Sequence, residues 1–285
     1  AVTPESEFAT FAAENTPKGT FIDGAVTFTS EDGTPSLTVP YLGFYGDWGK
    51  APIFDALASQ DGAHTLASWV YNGTTGQQLG YNPLVKADAR TGTPKADRYV
   101  LSRAEASGAP TVLEPRTGTL RSVHTLNTVY ANAAGESVAS YVTHQAWKSG
   151  VNPSTGKMTW VEDGHESTAL DLRSDAYKNL PDGAYKLTLS AHNDGPSQAE
   201  QSISYNFSID TTAPTVDTLA FSEDGDAPHV TIAVTDNKPL AGIDLHDPAD
   251  GLWFYRHIFS DTEGVKGDDG KYRYELDVPM SELSQ

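Results

Sequence analysis

Eight histidines, 38 carboxylates and many scattered serines are the groups in this chain that could carry chemistry. The histidines are His64, His124, His144, His165, His192, His229, His246 and His257. None forms an H-E-x-x-H pair, and no two stand at i, i+2 along a strand. A zinc centre would have to be assembled from distant positions, so strand-face and surface histidines are the simpler reading. No serine sits in a G-x-S-x-G elbow, and no S-x-x-K pair is followed by its usual partners, so nothing marks an activated hydroxyl nucleophile. The phosphate-cradling loops G-x-x-x-x-G-K-[ST] and G-x-G-x-x-G are absent as well. Glycoside hydrolysis needs only two carboxylates at the right separation, and the sequence singles out no such pair.

Calcium is the better metal candidate, because it takes several oxygens and tolerates loops. Acidic clusters run from Asp163 to Glu166 with Asp171, from Asp236 to Asp250 and from Asp261 to Asp269. None matches the D-x-[DN]-x-[DN]-G loop with its distal Glu, so solvated turns on an acidic surface outweigh a calcium site. Trp147, Trp160 and Trp253 could form a sugar platform, although a Trp in a β-sandwich is more often core. Asn72-Gly73-Thr74 and Asn206-Phe207-Ser208 are glycosylation sequons only for a eukaryotic secretory pathway, and Asn206 falls in mid-strand. No catalytic, cofactor-binding or metal-binding residue is therefore assigned.

The elements that would hold any site are β almost throughout. Ile203, Tyr205, Phe207 and Ile209 alternate with Ser204, Asn206 and Ser208, and Tyr185, Leu187, Leu189 and Ala191 repeat the pattern. Val230, Ile232 and Val234 point inward, and Leu37, Val39 and Tyr41 fall together, with Pro40 marking an edge or strand end. One-sided alternation is what an antiparallel sheet needs when one face meets a core and the other meets water. Turns are signalled at Glu31-Asp32-Gly33, Ala134-Gly135, Pro181-Asp182-Gly183 and Asn193-Asp194-Gly195. Pro181 to Tyr185 reads as a tyrosine corner, in which the Tyr hydroxyl bonds back to the upstream backbone. Helical spacing is confined to residues 52–58 and 5–14.

The chain has 285 residues and a net charge of −19. Such a charge argues against nucleic acid as a partner, since phosphate binding relies on Lys and Arg, and against an anionic membrane surface. No run approaches 18 apolar residues, so no membrane insertion is expected. The opening AVTPESEF is not read as a signal peptide. The absence of Cys excludes disulfides, thiol catalysis and thiolate metal sites. Composition places boundaries near residue 49 and in the polar, Pro-containing stretch 210–215, where Pro214 fixes its own φ and extends Ala213. Three units follow: 1–48, 49–212 with a long insertion at about 59–115, and 213–285.

Several stretches, falling in three successive parts of the chain, carry a resemblance. Leu37 to Trp48 (LTVPYLGFYGDW), followed by Ala51-Pro52-Ile53-Phe54-Asp55, resembles the end of the first fibronectin-type-III-like module of Gram-positive cell-envelope subtilisin-like proteinases, the lactocepin and streptococcal complement-cleaving peptidase group. Phe21 to Ser30 is similar to that module's G-x-V-x-F strand. Val129 to Val138 and Asn179 to Tyr185 resemble a hairpin and a strand entry of the second module. Asp210-Thr211-Thr212-Ala213-Pro214 and residues 236–244 resemble the opening of the third. One departure is Glu114-Pro115-Arg116-Thr117-Gly118-Thr119, where the family often has Ser-Pro-Asn-Gly-Asp-Gly, which puts any calcium role of that loop in doubt.

The resemblance implies an all-β chain of tandem fibronectin-III or immunoglobulin-like antiparallel sandwich modules. It also implies a non-catalytic accessory segment, since the family's catalytic Asp, His and Ser lie upstream and no Gly-Thr-Ser occurs here. On this reading the chain starts inside the first module and stops inside the third. It would be extracellular, wall-anchored or secreted, and without a cofactor. Its partners would be the protease domain of the same polypeptide and large protein substrates or host surface proteins. The alternative is an adhesin or glycan-binding sandwich.

Overall fold

Apolar residues at every second position build the long strands of this chain. The computed structural model describes residues 6–17, 19–32, 35–60, 66–103, 109–161, 166–193, 199–223, 228–249, 251 and 253–283. The described residues open with a helix, α1 (Ser6–Asn15), close to the expected 5–14. The chain then forms a hairpin of β1 (Thr20–Phe28) and β2 (Leu37–Tyr45), paired from Thr20 opposite Tyr45 to Phe28 opposite Leu37. Pro40 stands opposite Ala25 on a strand whose other side is open, where a missing N–H costs nothing. Leu37, Val39 and Tyr41 share a face, as their spacing requires, yet that face lies in solvent, with Leu37 62% exposed. A two-stranded ribbon has no second layer of its own. The helix covers only its base, where the Phe8 and Tyr45 rings meet edge-on at 5.2 Å.

The central sandwich is built from β3 (Trp69–Asn72), β4 (Val100–Leu101), β5 (Val112–Arg116), β6 (Val123–Asn132), β7 (Ser137–Ala146), β8 (Gly150–Val151), β9 (Met158–Thr159), β10 (Leu170–Asp171), β11 (Gly183–His192) and β12 (Glu200–Ile209). One sheet runs β4-β12-β11-β6-β7 and faces a smaller sheet, β10-β5-β3. All pairs are antiparallel except β4 with β12. The predicted inward residues behave as expected: Tyr185, Leu187, Leu189, Ala191, Tyr205, Phe207 and Ile209 are all buried in one core with Leu126 and Tyr130. Tyr205 donates its hydroxyl to the Ser68 carbonyl across that core.

Two expectations need correction. Residues 52–58 are not helical: Phe54 bridges to Thr119 and Leu57 to Ser68, while the Ile53 N–H donates to the Gln201 side-chain oxygen and its carbonyl accepts from the Leu120 N–H. With Ile53 and Phe54 both buried, partners distant in sequence take the backbone groups that a helix would pair internally. The segment 59–115, expected as a long insertion, is built into the sandwich itself. Its described parts supply β3, β4 and most of β5, and Val70, Leu79, Tyr99, Leu101 and Leu113 lie in the same core as β11 and β12. Its strands are two to five residues long, too short to show a period.

The last part contains β13 (Thr215–Ser222), β14 (His229–Asp236), β15 (Gly242–His246), β16 (Trp253–Ile258), β17 (Val265–Lys266) and β18 (Tyr272–Pro279). The sheet β13-β14-β18-β17 packs against the pair β15-β16. Ile232, Val234 and Val278 are buried beneath Ile243, Leu245 and Tyr255. Leu219 and Phe221 stand opposite Ile232 and Val230 on β13, but are 63% and 55% exposed. The small upper layer does not reach that strand.

Candidate functional site at the joints

Where one sheet unit passes to the next, polar side chains, the buried Asn82, Asn193 and Asp210 among them, bond across the joint. At the first joint, residues 46–51 lead from the hairpin to the central sandwich. Asp47 accepts from the Gly49 N–H at 2.9 Å and caps a short turn. That turn presents Trp48 to Phe21 and Phe44, edge-on at 5.8 and 4.8 Å. Arg121 lays its guanidinium 4.0 Å from the Trp48 ring centre and donates to the Pro52 carbonyl. Burial pulls the Arg121 pKa down. Below the ring, the Asn193 amide donates to the Trp48 and Ala51 carbonyls at 3.1 and 2.8 Å, and Gln201 donates to Gly49 and Ala51. Irregular backbone buried in this way must find side-chain partners, and two amides from β12 and the end of β11 provide them.

The second joint is the polar stretch after β12. Arg103 donates to the Leu180 carbonyl at 2.6 Å and to Asp182 at 3.1 Å. Asp182 also accepts from the Thr211 N–H and hydroxyl, each at 2.7 Å. Burial alone would raise the Asp182 carboxyl, but the Thr211 bonds and the Arg103 charge hold it below its ordinary value. Asp210 receives the Thr212 N–H and the Asn237 amide, so the stretch after Ile209 is fastened to both neighbouring sheets. Next to it, the Tyr185 hydroxyl donates to the Pro181 carbonyl, which is the corner expected from the sequence.

The third joint sets the stretch 82–98 against the last sheets. Asn82, 5% exposed, donates to the Ala241 and Phe259 carbonyls at 2.7 and 2.8 Å. Tyr272 donates to Asp97 at 2.7 Å. Lys95 and Arg98 both reach Asp261, at 3.3 and 3.2 Å. A shallow polar recess opens between these groups. The bonds of Asn82, Asp97, Lys95 and Arg98 are polar and directional, and such bonds fix an orientation.

The residues singled out by sequence do not converge. Among the described residues, no three of His, Asp and Glu face one point. Asp171 is held by Arg173, Asp244 by Arg256, Asp269 by Arg273 and Asp261 by Lys95 and Arg98. The Lys238 N–H reaches Asp236, and His257 meets Glu263 at 2.6 Å. His229 lies 3.5 Å from Asp277, and His246 contacts the Gly251 carbonyl. His124 and His144 are exposed, and His192 is half-buried. His64, His165, Asp163, Asp250 and the Trp253 side chain lie outside the described residues. Trp147 is 69% exposed and Trp160 half-buried. Asn72 is spent inside its own turn, accepting from Thr74 and Thr75. Sequence reasoning missed Trp48, Arg121, Asn82, Asn193 and Gln201. Only the first had a signal, the aromatic block that precedes the first joint.

No protein-family model matches the chain. It is 23% identical over 227 residues to the PII-type proteinase of Lacticaseibacillus paracasei, and 23% identical over 237 residues to the PII-type proteinase of Lactococcus lactis subsp. cremoris. The PI-type proteinase of the latter subspecies is 23% identical over 227 residues. Each match takes in 77% of this chain, and the chain spans 12% of the length of these relatives. The sequence is thereby related to bacterial proteinases.

Proposed function

We propose that this chain is a non-catalytic accessory segment of a cell-surface, subtilisin-like serine proteinase. It acts as a stiff spacer that holds a protease domain of the same polypeptide away from the cell wall. The observation that carries the reading is the relation to proteinases over 77% of the chain at 12% of their length, joined to a body made of β-sheets. Three polar joints support the mechanical part, since directional bonds at each one resist bending. Apolar residues left in solvent on the hairpin and on β13 are what a segment packed against more polypeptide would present. The location follows as extracellular, wall-anchored or secreted, with large protein substrates or host surface proteins as further partners and no resident cofactor.

Purified chain incubated with casein is expected to release no peptides, whereas steady turnover abolished by a serine-protease inhibitor would overturn the reading. Reading the coding sequence upstream of Ala1 is the direct complement, with Asp, His and Gly-Thr-Ser blocks as the expected result. The exposed Trp147 favours a second reading as a glycan-binding module. That reading requires glycan-array binding which Trp147→Ala abolishes.

A further inference from the structure

We infer that the outer edge of β7 is a docking strand for an extended, basic polypeptide segment, which it takes up by adding a strand to the five-stranded sheet. β7 ends that sheet, and its ten residues, SVASYVTHQA, include no Asp, Glu, Lys, Arg or Pro. Alternate residues of an edge strand turn their N–H and C=O groups away from the sheet. Among the described residues no backbone group pairs with that side of β7; the Ser137 hydroxyl reaches the Ala139 carbonyl at 3.3 Å. The register is disturbed at Tyr130/Ala131, and Gln145 has φ 54°, so the flat run is Ala139 to His144. At about 3.3 Å per residue it offers roughly 20 Å of ladder.

Most other edges among the described residues are guarded in ways this one is not; on β12, whose outer side meets β4 only at Ser208 and Ile209, the run begins with Glu200, and Gln201 is bonded to residues 49–53. β1 carries Asp23 and β2 carries Pro40, while β13 carries Asp217 at a bulge. β15 and β16 carry Asp244 and Arg256, and β4, β10 and β17 are two residues each. Charges, proline, bulges and shortness are the devices that keep edges from pairing. An open, uncharged edge of this length on a chain that uses these devices elsewhere points to pairing that is used.

Charge selects the occupant. A second copy would bring another −19 to the same place, and like fields of that size oppose association. A cationic extended segment is drawn in by the same field. Ser140, Val142 and His144 stand on the solvent face and would flank its side chains. The inference does not depend on a catalytic domain elsewhere in the polypeptide, and its failure would leave the accessory-segment reading standing.

The probe is a capped ten-residue peptide alternating lysine with threonine or valine, titrated into the whole chain and followed by amide exchange. Binding is expected to slow exchange within residues 139–144 and to weaken as salt rises. Val142→Lys, at a position 52% exposed, should weaken it about tenfold, or 1.4 kcal/mol, with the melting temperature unchanged. The same peptide N-methylated at alternate amides cannot complete the ladder and should not bind. Equal binding of the methylated peptide, or no binding of the parent peptide at millimolar concentration, overturns the inference. So does sedimentation showing that copies of this chain pair through β7.

Discussion

The Tyr185 hydroxyl donates to the Pro181 carbonyl at 2.7 Å, four residues upstream. It ties the turn that carries Asp182 to the start of β11. The ring is buried and stacks on Phe207 with centroids 5.5 Å apart. Tyr185→Phe keeps the ring and removes the bond, leaving a carbonyl without its partner. The loss should be about 1 kcal/mol, read as a lower urea midpoint at constant slope. An unchanged midpoint would mean that water serves that carbonyl equally well.

The corner was legible because its parts are local: a Pro-Asp-Gly turn and an alternating strand within ten residues. The same holds for Tyr205, Phe207 and Ile209, whose spacing alone gives the buried face. Alternation did not reveal whether a second layer exists, so Leu37 and Leu219 have the pattern of inward residues and lie in solvent. The third joint was illegible for another reason. Asn82 meets Ala241 and Phe259, 159 and 177 residues away, and one Asn between Tyr81 and Pro83 has no period to betray it. Residues 52–58 misled because Pro52 and a run of apolar residues suit a helix start as well as a buried, irregular crossing.

Asn82→Ala tests the third joint. The buried Phe259 carbonyl loses its Asn82 donor and the Ala241 carbonyl is left with the Phe259 N–H alone, which costs about 1–3 kcal/mol. Because the loss lies between sheets, it should appear as greater freedom of the last 70 or so residues. Small-angle scattering should show a larger maximum dimension, and proteolysis should become faster near the joint. A variant that unfolds less readily in urea with an unaltered scattering profile would contradict the account.

At the first joint the Arg121 guanidinium covers the Trp48 ring, with a centroid distance of 4.0 Å. Arg121→Ala removes that contact together with the bond to Pro52, and should lower stability by about 1 kcal/mol. Trp48 would then meet water, so its fluorescence should shift to the red. Arg121→Lys should recover little of this, since an ammonium cannot lie flat on the ring. Full recovery with Lys would reduce the contact to charge alone.

Calcium provides a separate check on the acidic clusters. Asp171, Asp244, Asp261 and Asp269 already spend oxygens on Arg or Lys partners. Replacing those cations with one ion would break each pair. Millimolar calcium and a chelator should therefore give the same melting temperature. A rise of several degrees with calcium alone would show that a loop site is filled.

The acids in the last sheets pull in opposite directions with pH. Hydrogen bonds from Arg273 hold Asp269 at about 2. Burial instead raises the Asp236 carboxyl; the Lys238 N–H opposes this in part, and the Asp210 charge adds to the rise. For an acid raised above its unfolded value of about 3.9, no penalty exists below that pH, because both states hold the proton. As pH climbs, the unfolded chain ionises first and stability falls, until the folded group ionises too. Asp236→Asn removes that term while its side-chain oxygen can still accept from Lys238. The variant should melt with the parent at pH 3 and above it at pH 7. Equal shifts at both pH values would show that the effect is one of packing, and that the buried charge at Asp236 carries no cost.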